Sequence, residues 1–414
     1  MPFRFRVIPR CTLLAVLCCT LAWPQPEVLT LERALALAQE SNPQFRAVNA
    51  AMEGAQAGIV TARQYPNPEL NANFGGQQGF NFDNVNGRLG IYSFSQPLEL
   101  YSVRRARIHT AEMARDSTEF SIAETRLAVR SAVKQAFYDV LRREAEVDLT
   151  EGNLKLIDDL RRRVEVQVRV GEAARLELIR ADAEVASARN QVRSSELRRS
   201  TAFAGLRAAI GAPLGEFTPE GKLDEPGVLP PLNTLRDEVL SRHPALAQAQ
   251  AEIRRAEARL GLERELRKPQ PTVRTEMEQQ PGIRLFRMGV NLPIPAWNRR
   301  EGEIAEASAG LRQARAQADV RRLEIGAALE RAYGVYLVAN QQLAAFEAGT
   351  LRQAEAAVQA AEAAFRFGER GIIEVLDAQR VLRGVRQDFL NAQFDRQAAL
   401  IELERLQAID LTKK

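Results

Sequence analysis

VEVQVRVGEAARLELIRADAE (Val164–Glu184) and AEAAFRFGERGIIEVLDAQRV (Ala361–Val381) share one design: helix-forming residues, a single turn glycine, then helix-forming residues again. Gly171 and Gly368 stand where a long helix must stop and reverse, because glycine reaches the left-handed conformation that ends helices at no steric cost. Outward from these turns the correspondence continues. Asn42-Pro43 is answered by His243-Pro244, Pro66-Asn67-Pro68 by Pro269-Gln270-Pro271, and PLELYSVRRARI (Pro97–Ile108) by PIPAWNRREGEI (Pro293–Ile304). The same order of signals met twice is the mark of an object built by duplication. It reads as mostly helical, with a small sheet at one end.

The helices are long. Leu98 to Val166 contains no proline and one glycine, with Leu127, Val133, Phe137 and Leu141 at helical spacing. At 1.5 Å per residue that run is roughly 100 Å, a length that predicts coiled-coil packing. Glu172–Ile210 returns and is ended by Gly211-Ala212-Pro213; Leu232–Arg267 follows after a proline-rich link. The second copy runs outward over Ala296–Arg366 and back over Ile372–Lys413. Length matching stacks Glu172–Ile210 end to end with Leu232–Arg267, and leaves Leu31–Gln64, interrupted at Asn42-Pro43 and capped by Thr30, to stack on the last helix.

Between the helices lie two islands of another character. Glu69–Pro97 holds Phe74, Phe80, Phe82, Tyr92 and Phe94 around a glycine- and asparagine-rich loop at Gln77–Gly87, which fits two strands. In the second island Val273, Thr275 and Met277 alternate with Arg274, Glu276 and Glu278; after Pro281-Gly282, Phe286, Met288, Val290 and Leu292 share a face opposite Arg287 and Asn291. Period-two alternation gives each strand an apolar and a polar face. Four strands cannot close a membrane barrel, which needs about 8 or more. Either the sheet is a soluble cap or several copies of the chain pool their strands.

Composition excludes more than it names. Alanine, arginine, glutamate, leucine and glutamine dominate, as in long helices. The formal charge of +4 comes in part from Arg4, Arg6 and Arg10, and the remaining charges alternate in sign, so no nucleic-acid partner is implied. Residues 1–22 read as a secretory signal: those arginines precede an apolar run, Cys11–Ala22, too short to span a bilayer. Cys11, Cys18 and Cys19 all fall inside it, which leaves the mature chain without thiol chemistry; residues before about Thr30 are expected to be absent or without order. Beyond it no apolar run approaches 18 residues, so any membrane contact falls to strands. No metal-ligand spacing, phosphate loop or nucleophile turn occurs, and no cofactor is expected. His109 and His243 read as solvated or structural.

Glu374 and Asp377 are three apart, on one helix face just past the Gly368 turn. In one chain they are ordinary first-turn acids; repeated around a rotation axis they would form a negative ring that favours cations, and that either repels itself or is held closed through partners such as Arg370 and Arg380. An enzyme is the least fitting class, and a periplasmic adaptor or structural rod gives no role to the strand alternation.

LTLERALALAQESNPQFRAVNA (Leu29–Ala50), YPNPELNAN (Tyr65–Asn73), SQPLEL (Ser95–Leu100) and FRFGERGIIEVLDAQRVL (Phe365–Leu382) resemble the outer membrane factor family, the TolC-like exit ducts of tripartite efflux and type I secretion systems. The wording of YPNPEL and SQPLEL is similar to the heavy-metal branch, the cobalt-zinc-cadmium and copper-silver ducts; a multidrug or protein-secretion duct shares the scaffold. The resemblance implies a mainly α chain with a small membrane β-barrel: a homotrimer in the Gram-negative outer membrane, each chain contributing four strands and long coiled-coil helices to a periplasmic tunnel. It implies a periplasmic adaptor (membrane fusion) protein and an inner-membrane proton-driven pump of the RND type as partners. It maps gate acids onto Glu374 and Asp377, adaptor contact onto Arg169, Gly171, Glu172, Arg175, Arg366, Gly368 and Arg370, and barrel strands onto Val273, Met277, Met288 and Val290. The resulting division is 1–22 signal, 23–64 N-terminal segment and equatorial helix, 65–97 first β-hairpin, 98–210 first helical hairpin, 211–267 equatorial linker and helix, 268–295 second β-hairpin, and 296–414 second helical hairpin with the C-terminus.

Overall fold

The computed structural model describes residues 27–78, 86–215, 217–223, 227 and 229–408. The signal segment with its cysteines, Phe80, Phe82 and the tail beyond Ala408 lie outside the described residues.

Helix α3 (Tyr101–Arg169) is one uninterrupted rod of 69 residues. From near its middle to its end it buries Val129, Val133, Phe137, Val140, Val147, Thr150, Asn153, Ile157, Leu160 and Val164, mostly three or four apart, which keeps one stripe facing a partner. That partner is α4 (Arg175–Ile210), whose buried positions are mostly small: Ala181, Val185, Ala188, Ser195 and Ala202. Where Thr150 and Ser195 meet in this seam, their hydroxyls lie 2.8 Å apart and each also faces a carbonyl of its own helix; one hydroxyl donates to the other, which in turn donates to its carbonyl, so neither oxygen is stranded.

The return paths are joined differently from the length-matched expectation. α1 (Leu31–Ser41) ends at Asn42, and α2 (Pro43–Arg63) starts against the end of α4. Asn42 Oδ1 accepts from the Gln44 N–H at 2.9 Å, and its Nδ2 donates to the Ala209 carbonyl at 2.8 Å. One side chain therefore satisfies an orphan donor of the starting helix and an orphan acceptor of the ending one. Gly211, at φ +77, lies so close to Pro43 and Asn42 that no Cβ fits. In the second copy α5 (Leu232–Arg242) and α6 (Pro244–Leu266) meet the end of α9 (Ile372–Gln407) through Leu235, Val239, Ala245, Leu403 and Leu406. So α2 stacks on α4 and α6 on α9, each within its own copy. The expected crossing of the copies is wrong for a plain reason: α2 has 21 residues and α6 has 23, so length could not tell them apart.

Three further expectations are corrected. Residues just before Thr30 are ordered: β1 (Glu27–Thr30) pairs in parallel with β4 (Phe217–Glu220). Leu29 and Phe217 thereby enter the core formed with α1, α3 and α4. Thr30 caps α1 as anticipated, accepting the Arg33 N–H at 3.3 Å. The outward path of the second copy is not one helix but α7 (Glu301–Ala345), a π-turn over Phe346–Thr350, and α8 (Leu351–Arg366). The break centres on Gly349 at φ +146, a backbone state that residues with a Cβ avoid. The outward helices also begin later than expected, at Tyr101 and Glu301, once the prolines and Arg300 have turned the chain.

His243 holds in the second joint the place that Asn42 holds in the first. Its Nδ1 accepts the Ala245 N–H at 3.1 Å, which puts the ring proton on Nε2, buried and without a hydrogen-bond partner among the described residues. Burial first, then Arg405 and Arg321, push its pKa down from 6.5 to about 4, against the pull of Glu402. Protonation would also abolish the cap. Between pH 6.5 and about 4 the unfolded chain binds a proton that the folded joint refuses, so stability falls with pH. The loss is on the order of 3 kcal/mol in all. In His243→Asn, which restores the first copy's cap, the unfolding free energies at neutral pH and at about pH 4.5 should lie closer together by about 2 kcal/mol, the part of that loss reached by pH 4.5. An unchanged gap would show that the imidazole does not sense its burial.

A two-faced sheet and paired tips as the candidate functional site

At one end, β2 (Glu69–Gln77), β3 (Gly87–Pro97), β5 (Thr272–Gln280) and β6 (Ile283–Asn291) form one antiparallel sheet in the order β2-β3-β5-β6. The two hairpins are zipped together by β3 and β5, with Phe94 opposite Thr275 and Tyr92 opposite Met277. Pro281-Gly282 makes the tight second turn, with Gly282 at φ +82. Strands β2 and β6 are left as open edges.

Register assigns every side chain to a face. Leu70, Phe74, Tyr92, Phe94, Val273, Met277, Phe286, Met288 and Val290 fall on one side, and Phe74 packs edge-on to Tyr92 at 5.7 Å. This face is uncovered: Phe286 is 72% exposed, Met288 71% and Val290 65%. The opposite face carries Asn71, Asn73, Ser93, Ser95 and a chain of charges. There Arg274 pairs with Glu276 at 3.1 Å, and Arg287 pairs with Glu278 and reaches Glu276 at 4.0 Å. A soluble cap would bury its apolar face and wet the other; here the apolar face is the bare one. Trp297, Tyr101 and Tyr65 are exposed where sheet gives way to helix. Among the described residues no helix is long and apolar enough to cross a membrane.

At the other end, both tips end in the same Schellman motif. Glu172 N–H donates to the Gln167 carbonyl and Gly171 N–H to that of Val168; Glu369 bonds Ala364 and Gly368 bonds Phe365 in the same way. Gly171 and Gly368 stand at φ +85 and +74. Beneath them Leu160, Val164, Ala181, Phe365, Ile372, Val375 and Leu376 fuse the two tips into one core. Arg169, Gly171, Glu172, Arg175, Arg366, Gly368 and Arg370 are all exposed around it, interleaved with exposed Val166, Val170 and Phe367.

Glu374 lies 3.8 Å from Arg370, and Asp377 accepts from Arg380 at 3.2 Å. Arg380 and Arg383 also reach Glu184 on α4, at 3.7 and 3.8 Å, tying the two return helices together. Sequence reading passed over Glu184, Arg383 and Glu177. Glu177 was findable, since it stands six residues past Gly171 as Glu374 stands six past Gly368. A Cβ on Gly371 would lie 3.6 Å from Glu177 Oε1 and 3.7 Å from Glu374 Oε2, so these two carboxylates converge over that glycine. They gather negative charge in a solvated place. Among the described residues no group of three or more His, Cys, Asp or Glu is disposed to hold a metal ion.

The Outer membrane efflux protein family matches residues 34–212 and 235–408. The chain is 27% identical, over 91% of its length and 90% of the relative's, to the cobalt-zinc-cadmium resistance protein CzcC of Cupriavidus metallidurans. Its fold is similar to that of CusC (TM-score 0.80, 18% identity, 92% of each chain) and of the outer-membrane channel OprN (TM-score 0.76, 16% identity, 92% of this chain and 90% of that one). The two matched blocks are the two halves of the duplication, each running from a short helix through a hairpin to a returning helix. The chain belongs to the outer membrane efflux protein family.

Proposed function

We propose that three copies of the chain form a passive export channel from periplasm to exterior. The sheets would close into one outer-membrane barrel and the helices into a periplasmic tunnel. The observation that carries this reading is the four-stranded sheet with a bare apolar face, a charged opposite face and two open edges. An open edge is prohibitive in lipid. Joining β6 of one copy to β2 of the next removes every edge, sends the apolar face to lipid and the Arg–Glu chain to the lumen.

The tips are the other working end. Arg169, Gly171, Glu172, Arg175, Arg366, Gly368 and Arg370, with Val170 and Phe367 beside them, offer a mixed polar and apolar surface to a periplasmic adaptor protein, through which an inner-membrane proton-driven pump supplies the energy. Glu374 and Asp377 form the gate ring, with Glu177 as a third acid facing it and Arg370 and Arg380 as latches. The likeness to CzcC supports heavy-metal cations as cargo. A duct that releases its cargo needs weak, solvated acids rather than a binding cage.

The test is single-channel conductance of the purified protein in planar bilayers, with Glu374 and Asp377 intact and then both changed to alanine. Small cation-favouring events should grow and lose selectivity in the double variant. Conductance and selectivity unchanged in that variant would remove the gate assignment. A folded trimer that conducts neither alone nor with its adaptor would remove the channel.

A further inference from the structure

The strands of the four-stranded sheet carry seven charged side chains, and register sorts them without ambiguity. Glu69, Arg274, Glu276, Glu278 and Arg287 lie on the polar face. The other two, Arg88 opposite Gly76 and Arg284 opposite Gln279, lie on the apolar face. Both are cationic, both are exposed, and both sit at the hairpin end, away from the helices. Neither makes an ion pair among the described residues, whereas Arg274, Glu276, Glu278 and Arg287 pair with one another. The hairpin ends are packed together, since Gly87 backs onto the Pro281 ring too closely for a Cβ. Arg88 and Arg284 are two strands and one side-chain row apart, roughly 12 Å from the spacings of a sheet. On the same face Phe74 lies below Arg88, in the row of Arg284, and Met277 and Phe286 lie below both.

Two unpaired cations crowning an uncovered apolar belt match an amphiphile of the opposite layout: acyl chains below, negative charge above. Resting on the barrel reading, we propose that Arg88 and Arg284 form a basic rim that binds the phosphate of an anionic membrane lipid whose acyl chains lie along Phe74, Met277 and Phe286. The guanidinium fork suits phosphate oxygens, and lies next to hydrocarbon, where an unpaired cation otherwise gains nothing. The polar-face arginine Arg287, already paired with Glu278, serves as the internal control.

The experiment is native mass spectrometry of the full-length purified protein with diphosphorylated lipid A, phosphatidylglycerol, phosphatidylcholine or inorganic phosphate added. Flotation with phosphatidylcholine vesicles runs in parallel. The two phosphate-bearing anionic lipids should be retained over phosphatidylcholine. That preference should fall roughly five-fold in Arg88→Gln and in Arg284→Gln, and further in the double variant, the size expected for single basic residues at an anionic surface. Arg287→Gln should leave it intact. A double variant that keeps the preference, or an Arg287→Gln that loses it equally, overturns the proposal. Competition by inorganic phosphate at concentrations comparable to the lipid also overturns it, because the site would then be one for free anions. Failure of the wild-type protein to float with phosphatidylcholine vesicles is the separate outcome that sinks the barrel reading itself.

Discussion

Lys134→Met is expected to destabilise the chain by about 3 kcal/mol, and Glu404→Leu by about 5 kcal/mol, the range for breaking a buried ion pair. Lys134 Nζ donates to both carboxylate oxygens of Glu404, at 2.7 and 2.6 Å, with 3% and 8% of the two side chains exposed. The order of the two effects follows from Arg130, whose Nε lies 3.5 Å from Glu404. When Lys134 is removed the carboxylate keeps Arg130 beside it. When Glu404 is removed, Arg130 and Lys134 both lose the carboxylate that they share. The pair joins α3 to α9, one from each half of the duplication, so its loss loosens the contact between halves. Lys134→Met combined with Glu404→Leu should cost clearly less than the sum of the two single variants, since the two buried charges leave together. Denaturant midpoints for the four members of this cycle measure the coupling directly. Costs that simply add in the double variant would mean that the charges are solvated and the pair is incidental.

What could be read from sequence divides along a physical line. Features made by local steric rules were legible. Gly171 and Gly368 announce left-handed helix ends, Asn42-Pro43 and His243-Pro244 announce helix starts, and Val273 to Val290 announce a two-faced hairpin. Features decided by which distant elements meet were not. Each strand of the β1–β4 pair has four residues, too few to show a period, and one core residue apiece, Leu29 and Phe217. Lys134 and Glu404 look like any other charges on a charged helix until α3 and α9 close over them. The π-turn at Phe346–Thr350 is one glycine in an alanine-rich run, where Gly152 and Gly326 are accommodated without a break. At the tip, Glu374 was legible from its place after a turn. Glu184 was not, because only packing brings α4 and α9 close enough for Arg380 and Arg383 to reach it.

Met288→Arg should abolish assembly in the membrane. Met288 stands in the middle of the apolar face, in the row of Leu70, Phe94 and Thr275, and is 71% exposed in the single chain. If that face meets lipid, an arginine near the bilayer midplane costs about 2–4 kcal/mol at each site. A trimer carries three such sites, for roughly 6–12 kcal/mol in total, enough to cancel the whole stability of an ordinary domain. If the sheet were instead a soluble cap, the same exposed methionine could become arginine at a cost within about 0.5 kcal/mol. The two readings therefore differ by an order of magnitude on one substitution. Asn71→Arg is the matched control: it adds the same side chain to the same sheet, on the face that carries Glu276 and Arg287. Flotation with liposomes and recovery of folded trimer should be lost in Met288→Arg and kept in Asn71→Arg. Equal insertion of both would mean that neither face meets hydrocarbon, and the barrel would have to be abandoned. Loss of both would instead mean that the sheet tolerates no added charge, and would leave the choice of lipid-facing side to Arg88 and Arg284, whose effects are read as lipid preference and not as assembly.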